Sequence, residues 1–213
     1  MTLESRSHEE SPIRLFKSDF LEFFTHISPI VVLVIFIPVI AFSLWFGFTA
    51  NPGSGWWKVL LAWLTGIVIW TPVEYMLHRF VFHFHPKNPS ERMKRVLFLA
   101  HGVHHAQPRE KTRLVMPPML SIPLAALFYL VFWLLVGKLF GSPGWVNGIF
   151  AGFITGYTVY DMTHYSLHHF SSKSKVFRQL RQHHMAHHFK TPGRRFGVTS
   201  MFWDRIFQTN PKA

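Results

Sequence analysis

The chain contains no cysteine. Disulfides, thiolate zinc sites, iron–sulfur clusters and thiolate-bound haem are therefore excluded within it. Charge is scarce as well: charged residues are 15% of the total, and ten acidic side chains face 22 basic ones. The N-terminus does not read as a signal peptide, because residues 1–12 are polar and no short apolar core with a small-residue cleavage site follows. What is abundant is apolar: 49% of 213 residues are hydrophobic, including 23 Phe and 8 Trp. That balance suits a one-domain polytopic membrane protein better than a soluble one. The formal charge of +12 lies in residues interleaved with apolar stretches, and no nucleic-acid motif accompanies it. It reads as a juxtamembrane collar facing anionic headgroups, with no nucleic acid as partner.

Four apolar stretches, 28–48, 57–77, 114–136 and 145–165, are long enough to cross a bilayer, which takes about 20 helical residues. Pro117, Pro118 and Pro123 predict that the third is either kinked or starts after the prolines. Short turns at 51–55 and 141–144 join the spans in pairs. Of the basic residues, only Lys58 and Lys138 fall on the side of these turns; the other 20 lie in the N-terminal tail, in 78–113 or in 166–213. The positive-inside rule puts those three regions on the cytoplasmic face. Residues 1–27 form a tail in which Ile13, Phe16, Phe20, Phe23 and Phe24 recur at helical spacing. They predict either an interfacial amphipathic helix or a plain lead-in to the first span. Residues 28–213 form one membrane domain.

Thirteen of the fifteen histidines fall between residues 78 and 188. Neutral imidazole is a good ligand for iron, zinc, copper and nickel. Ten of them stand at ligand spacings: His78 and His83; His101, His104 and His105; His164 and His168; His184, His187 and His188. Ten exceed what one ion can use, so two metals are expected. Residues three and four apart share a helical face, so each His-x-x-His-His run is expected to project as a unit. His78 and His83, five apart, require a helix end or a distortion. The pattern is duplicated, a spaced pair followed by His-x-x-His-His, so each half supplies five histidines. The economical arrangement holds two ions between two antiparallel helical pairs. His85, His169 and His183 are adjacent extras. Glu74 and Asp161 lie inside spans, where charge is costly. Each stands one turn before a ligand, His78 or His164, and is expected either to accept its distal ring N–H or to pair with an arginine.

An all-imidazole site leaves its metals electrophilic and able to activate oxygen, while zinc in the same geometry would suit hydrolysis. No run carries the Glu of a protease-type zinc helix, and no Glu-x-x-His pattern of soluble di-iron bundles occurs. A membrane metal transporter would need sites along a path across the bilayer, whereas these gather at one face.

The order His-x4-His, His-x2-His-His, His-x3-His, His-x2-His-His resembles the membrane fatty acid hydroxylase/sterol desaturase superfamily, and within it the fatty acid 2-hydroxylases. Arg113-Leu114-Val115-Met116-Pro117-Pro118, Tyr160-Asp161-Met162-Thr163-His164-Tyr165 and Phe196-Gly197-Val198-Thr199-Ser200, with Trp203-Asp204 after it, carry the likeness. It covers roughly residues 60 to 210. The resemblance implies an all-α integral membrane fold of about four transmembrane helices. A cytosolic helical cap would hold a dinuclear site with the ten histidines above as ligands and Tyr160 and Asp161 near the substrate. It implies two iron ions (zinc also fits), molecular oxygen as co-substrate, and hydroxylation at C2 of a fatty acyl chain. Sterol, carotenoid or sphingoid-base hydroxylation or desaturation are sibling chemistries on the same histidines. Residues 1–27 are too short for the cytochrome b5 domain that many eukaryotic members carry. A separate cytochrome b5-like or ferredoxin-like electron donor is therefore expected, in a bacterial inner membrane in preference to the endoplasmic reticulum. His169 stands where the closest members usually have another residue.

Overall fold

The computed structural model describes residues 11–50 and 55–211. These are all-helical, without a strand. The turn expected at 51–55 lies mostly outside the described residues. The helix expected over 13–25 is confined to α1, Asp19–Phe23, capped by the Ser18 side chain. Ser28 then caps α2, Pro29–Thr49, with Pro29 in its first turn, where a missing N–H costs nothing. α3 runs Trp56–Met76. α4, Glu91–Leu97, is capped by Ser90, and α5 is the turn Val103–Ala106. α6, Pro118–Phe132, begins at the second proline of the pair, so the helix starts after Pro117. α7, Pro143–His169, is followed by α8, Lys175–Phe189, and α9, Phe202–Ile206.

Three helices continue into π-helical segments: α3 into Leu77–Phe82, α4 into Phe98–Gly102 and α6 into Trp133–Leu139. Among the described residues three helices are long and apolar enough to cross a membrane, Pro29–Thr49, Trp56–Phe82 and Pro118–Leu139. The stretch read as a fourth span lies in α7, which is long but differs in kind. It is the central helix, packed against α2, α3 and α6, with most of its residues from Val146 to Asp161 buried. Its composition is set by neighbours on several sides rather than by lipid alone.

The packing of α7 on α3 explains its glycines. A Cβ on Gly152 would lie 1.8 Å from the Trp63 carbonyl oxygen, and one on Gly66 would lie 2.0 Å from that of Ile149. The two backbones touch there, as small residues allow between membrane helices. Below this contact Trp70 packs edge-on against Phe153 and Tyr157, and Phe36 of α2 meets Tyr157. This aromatic layer fixes the depth at which the histidine-bearing ends of α3 and α7 leave the apolar region.

Candidate metal centre

The five-residue interval between His78 and His83 is accommodated by the π-helical end of α3, where His83 N–H donates to the His78 carbonyl at 3.1 Å. An i→i+5 turn brings residues five apart onto one face, so the pair converges as an i,i+4 pair does in an α-helix. The other pairs, His101/His105, His164/His168 and His184/His188, sit four apart on helical turns.

The ten histidines gather in two groups of five: His78, His83, His101, His105 and His187, then His104, His164, His168, His184 and His188. Within each group one ring nitrogen per residue lies within 4.8 Å of all the others. The expectation that each His-x-x-His-His run would project as a unit is corrected by one exchange. Each group takes two chelating pairs from its own half and one residue from the other half, His187 in the first group and His104 in the second. Neither His-x-x-His-His run acts as a unit. Its first and last histidines face one centre, and the middle one faces the other. The rings of His105 and His188 stack at 4.2 Å between the two groups.

The donor atoms fit metal ions. Nε2 of His101 is 3.2 Å from that of His78 and 3.1 Å from that of His105, and Nε2 of His187 is 3.0 Å from that of His83. In the second group, Nε2 of His184 is 2.8 Å from His168 and 3.1 Å from His188. Nitrogens held about 2.1 Å from a common ion at right angles would be about 3 Å apart. Pointing unprotonated nitrogens at one another without a cation would leave buried acceptors facing acceptors. Both ring nitrogens of His104, and Nε2 of His164, are buried and unpartnered. Burial first, and neighbouring imidazoles after it, lower His83 to about 2, His105 to about 3 and His168 to about 3. Burial lowers His187 to about 4, against the Arg194 carbonyl, which favours its protonated form. The set is thus neutral and ready to ligate.

The Nδ1 sides are held by backbone carbonyls. His78 Nδ1 lies 2.5 Å from the Phe196 oxygen, and His187 Nδ1 lies 2.7 Å from that of Arg194. These contacts select the tautomer that leaves Nε2 free. The expected direct role of the two carboxylates is corrected. Glu74 does not reach His78; it accepts from Val198 N–H and Thr199 N–H at 2.9 Å each, and from the Thr199 hydroxyl at 2.5 Å. It pins the loop whose carbonyl holds His78. Asp161 accepts from Met116 N–H at 3.3 Å and not from His164. Neither carboxylate forms an ion pair among the described residues.

The sequence reading missed Asp204. It is fully buried and accepts from Phe196 N–H and Gly197 N–H at 2.8 Å each, from Thr209 at 2.6 Å and from His183 Nε2 at 3.0 Å. A Cβ on Gly197 would lie 2.0 Å from the Ser200 carbonyl oxygen, so this tight turn excludes any side chain there. Its signal was present in the Phe-Gly-Val-Thr-Ser and Trp-Asp phrases, without a role to attach to them. His183 is therefore a partner of Asp204, not a ligand. His85 is exposed and hydrogen-bonds its Nδ1 to the His83 carbonyl, and the ring of His169 packs 4.7 Å from that of Tyr165.

A cavity of about 490 Å³ opens against this centre. His101, His104, His164, Tyr160, Asp161 and Arg113 line it among mostly apolar side chains such as Leu120 and Leu124. Tyr160 stacks on His164 with ring centroids 5.9 Å apart.

Helices long and apolar enough to cross a membrane, with two five-imidazole clusters able to hold metal ions, define a membrane protein of histidine-rich metal-site type. The fatty acid hydroxylase family model matches residues 63–209, and the chain belongs to that family. Dihydroceramide fatty acyl 2-hydroxylase FAH2 of Arabidopsis thaliana is 36% identical over 202 residues, covering 93% of this chain and 80% of its own length. Ceramide very long chain fatty acid hydroxylase SCS7 of Saccharomyces cerevisiae is 40% identical over 181 residues, and rat fatty acid 2-hydroxylase 35% over 219. This chain spans 46% and 56% of their lengths. A solved structure of full-length Scs7p, with only the hydroxylase domain visible, matches with a TM-score of 0.83 at 36% identity, covering 91% of this chain and 70% of that one.

Proposed function

We propose that the chain is a membrane-bound, oxygen-dependent hydroxylase that inserts a hydroxyl group at C2 of a fatty acyl chain, free or within a sphingolipid. The observation that carries this reading is the cavity, whose mostly apolar lining meets three of the histidines together with Tyr160 and Asp161. An acyl chain lying with its polar head toward these residues exposes its first carbons, and not its tail, to the centre. The relatives named for 2-hydroxylation of fatty acyl or dihydroceramide substrates support the same position of attack.

The metal ligands are proposed to be His78, His83, His101, His105 and His187 for one ion, and His104, His164, His168, His184 and His188 for the other. Bound as two irons, they would supply the reduction of dioxygen and the oxidation of the C–H bond, with one oxygen atom entering the product and the other leaving as water. Two electrons and two protons then come from a separate donor protein of cytochrome b5 or ferredoxin type. The protein's own residues position and exclude. The apolar cavity keeps water from the reacting carbon. Tyr160 and Asp161 border the acyl head and hold its C2 hydrogens toward the histidines. The basic collar on the cytoplasmic side would receive the donor. Residues 28–213 form the catalytic membrane domain, in a bacterial inner membrane in preference to the endoplasmic reticulum.

Mass spectrometry of hydrolysed lipids from a host expressing the chain, beside His104→Ala, tests this. The expected result is 2-hydroxy acyl chains with the wild type and none with the variant. Hydroxylated sterols or carotenoids with unmodified acyl chains would move the assignment to a sibling reaction.

A further inference from the structure

The cavity wall is not built from the family-matched residues alone. Leu15, Phe16, Leu21, Phe24 and Thr25 line it too, and all precede residue 63. This segment is fastened over the cavity by a knot of polar contacts. Glu22 accepts from Leu15 N–H at 2.9 Å and Phe16 N–H at 2.8 Å, which folds the segment back on itself. The buried Arg113 donates to Glu22 at 2.5 Å, and also to the Ile13 carbonyl. Ile27 N–H donates to the Thr112 carbonyl at 2.7 Å, and His26 Nδ1 meets the Thr112 hydroxyl at 2.6 Å. Arg113 is followed directly by Leu114, Val115 and Met116, which line the cavity up to the Met116–Asp161 contact. The knot and the reacting end are thus joined by four consecutive residues.

α1 has two faces. Leu21, 41% exposed, and the C-capping Phe24 line the cavity, while Phe20 and Phe23 stay 71% and 73% exposed. In a membrane protein an outward pair of this kind lies in lipid at the interface. The segment therefore forms part of the wall between the cavity and the surface that carries Phe20 and Phe23.

We infer that residues 13–27 form a strap that is the outer wall of the acyl site, and that Phe16, Leu21 and Phe24 select the chain it accepts, held in place by the Glu22–Arg113 pair. This rests on the cavity being the acyl site proposed above. A fixed wall of bulky side chains rejects a chain that does not fit by overlap. The discrimination is modest for each methylene, on the order of ten- to 200-fold. Shortening Phe24 or Phe16 lengthens the pocket and admits longer or bulkier chains. Enlarging Leu21 shortens it. Loosening the latch broadens selection without a preferred direction.

Two measurements test this. In the first, wild-type protein is irradiated with a fatty acid carrying a terminal diazirine, and the adducts are mapped by peptide mass spectrometry. Adducts on residues 15–25 are expected. Adducts confined to 114–124 would overturn the strap's role, and adducts nowhere along the cavity would overturn the reading of the cavity itself. In the second, metal-loaded wild type, Phe24→Ala, Leu21→Trp and Glu22→Gln compete on a mixture of acyl chains. Product distributions shifted longer, shifted shorter and broadened, respectively, are expected. Distributions identical to wild type, with 2-hydroxy products still formed, would refute the inference and leave the proposed reaction standing. A wild type that makes no 2-hydroxy product would refute the reaction instead.

Discussion

Asp204→Asn isolates one metal site without touching a ligand. The carboxylate accepts four hydrogen bonds, two on each oxygen: Phe196 N–H and Thr209 on Oδ1, Gly197 N–H and His183 on Oδ2. An amide turns one of those oxygens into a donor; whichever oxygen is replaced, one backbone N–H is left facing it, while the Thr209 hydroxyl or the His183 ring can reverse to accept. The orphaned N–H costs about 1–3 kcal/mol of local stability. The loop relaxes, and with it the Phe196 and Arg194 carbonyls that orient His78 and His187. Both of those histidines belong to the same group of five. Loss of such supporting contacts costs about 10–100-fold in metal affinity. Among the described residues no hydrogen bond from this loop reaches the other group. The assay is metal content per chain against increasing chelator. The variant is expected to lose one of its two metals at about 10–100-fold lower chelator, with the second unchanged. Equal shifts for both metals, or no shift for either, would refute the chain of support from Asp204 to the histidines.

Other perturbations have defined outcomes. His187→Ala should abolish turnover and weaken metal in the group containing His78, and His104→Ala should do the same in the group containing His164. Metal analysis in which each variant affected the site of its own sequence half would undo the observed exchange. The metal-free protein should lose stability as pH falls below about 6.5, the ordinary histidine value. The unfolded chain takes up protons there, while His105 at about 3 and His187 at about 4 stay neutral in the fold. Asp204, lowered by its hydrogen bonds against the opposing effect of burial, adds a loss in the same direction at still lower pH. A flat melting temperature between neutral and mildly acid pH would contradict this. Gly152→Leu should prevent α3 from packing on α7, read as lost thermal stability and lost metal, because its side chain would enter the Trp63 backbone. Near-native stability would show that the helices can separate at no cost.

Much of the site was legible because chelation is local. Pairs four apart on a helix must share a face, so the ligands of each pair announce themselves in sequence. The exchange of His104 and His187 was not legible, because it depends on how α5 and α8 cross, which no spacing records. Glu74 shows the same limit: one helical turn from His78 suggests a direct contact, but the 196–199 loop, more than a hundred residues away, lies between them. The apolar runs marked the crossing helices well. Where α7 is buried by protein, hydropathy no longer distinguishes a lipid-facing span from a central helix. The glycines at the α3–α7 contact carried the missing information, since only a close backbone approach requires them.

The most direct test supplies purified, iron-loaded protein with an electron donor, isotopically labelled dioxygen and an acyl chain deuterated at C2. The account predicts a 2-hydroxy product that carries one labelled oxygen and has lost one of the two deuterons. A hydroxyl group elsewhere on the chain with both deuterons retained, or oxygen drawn from water, would contradict it.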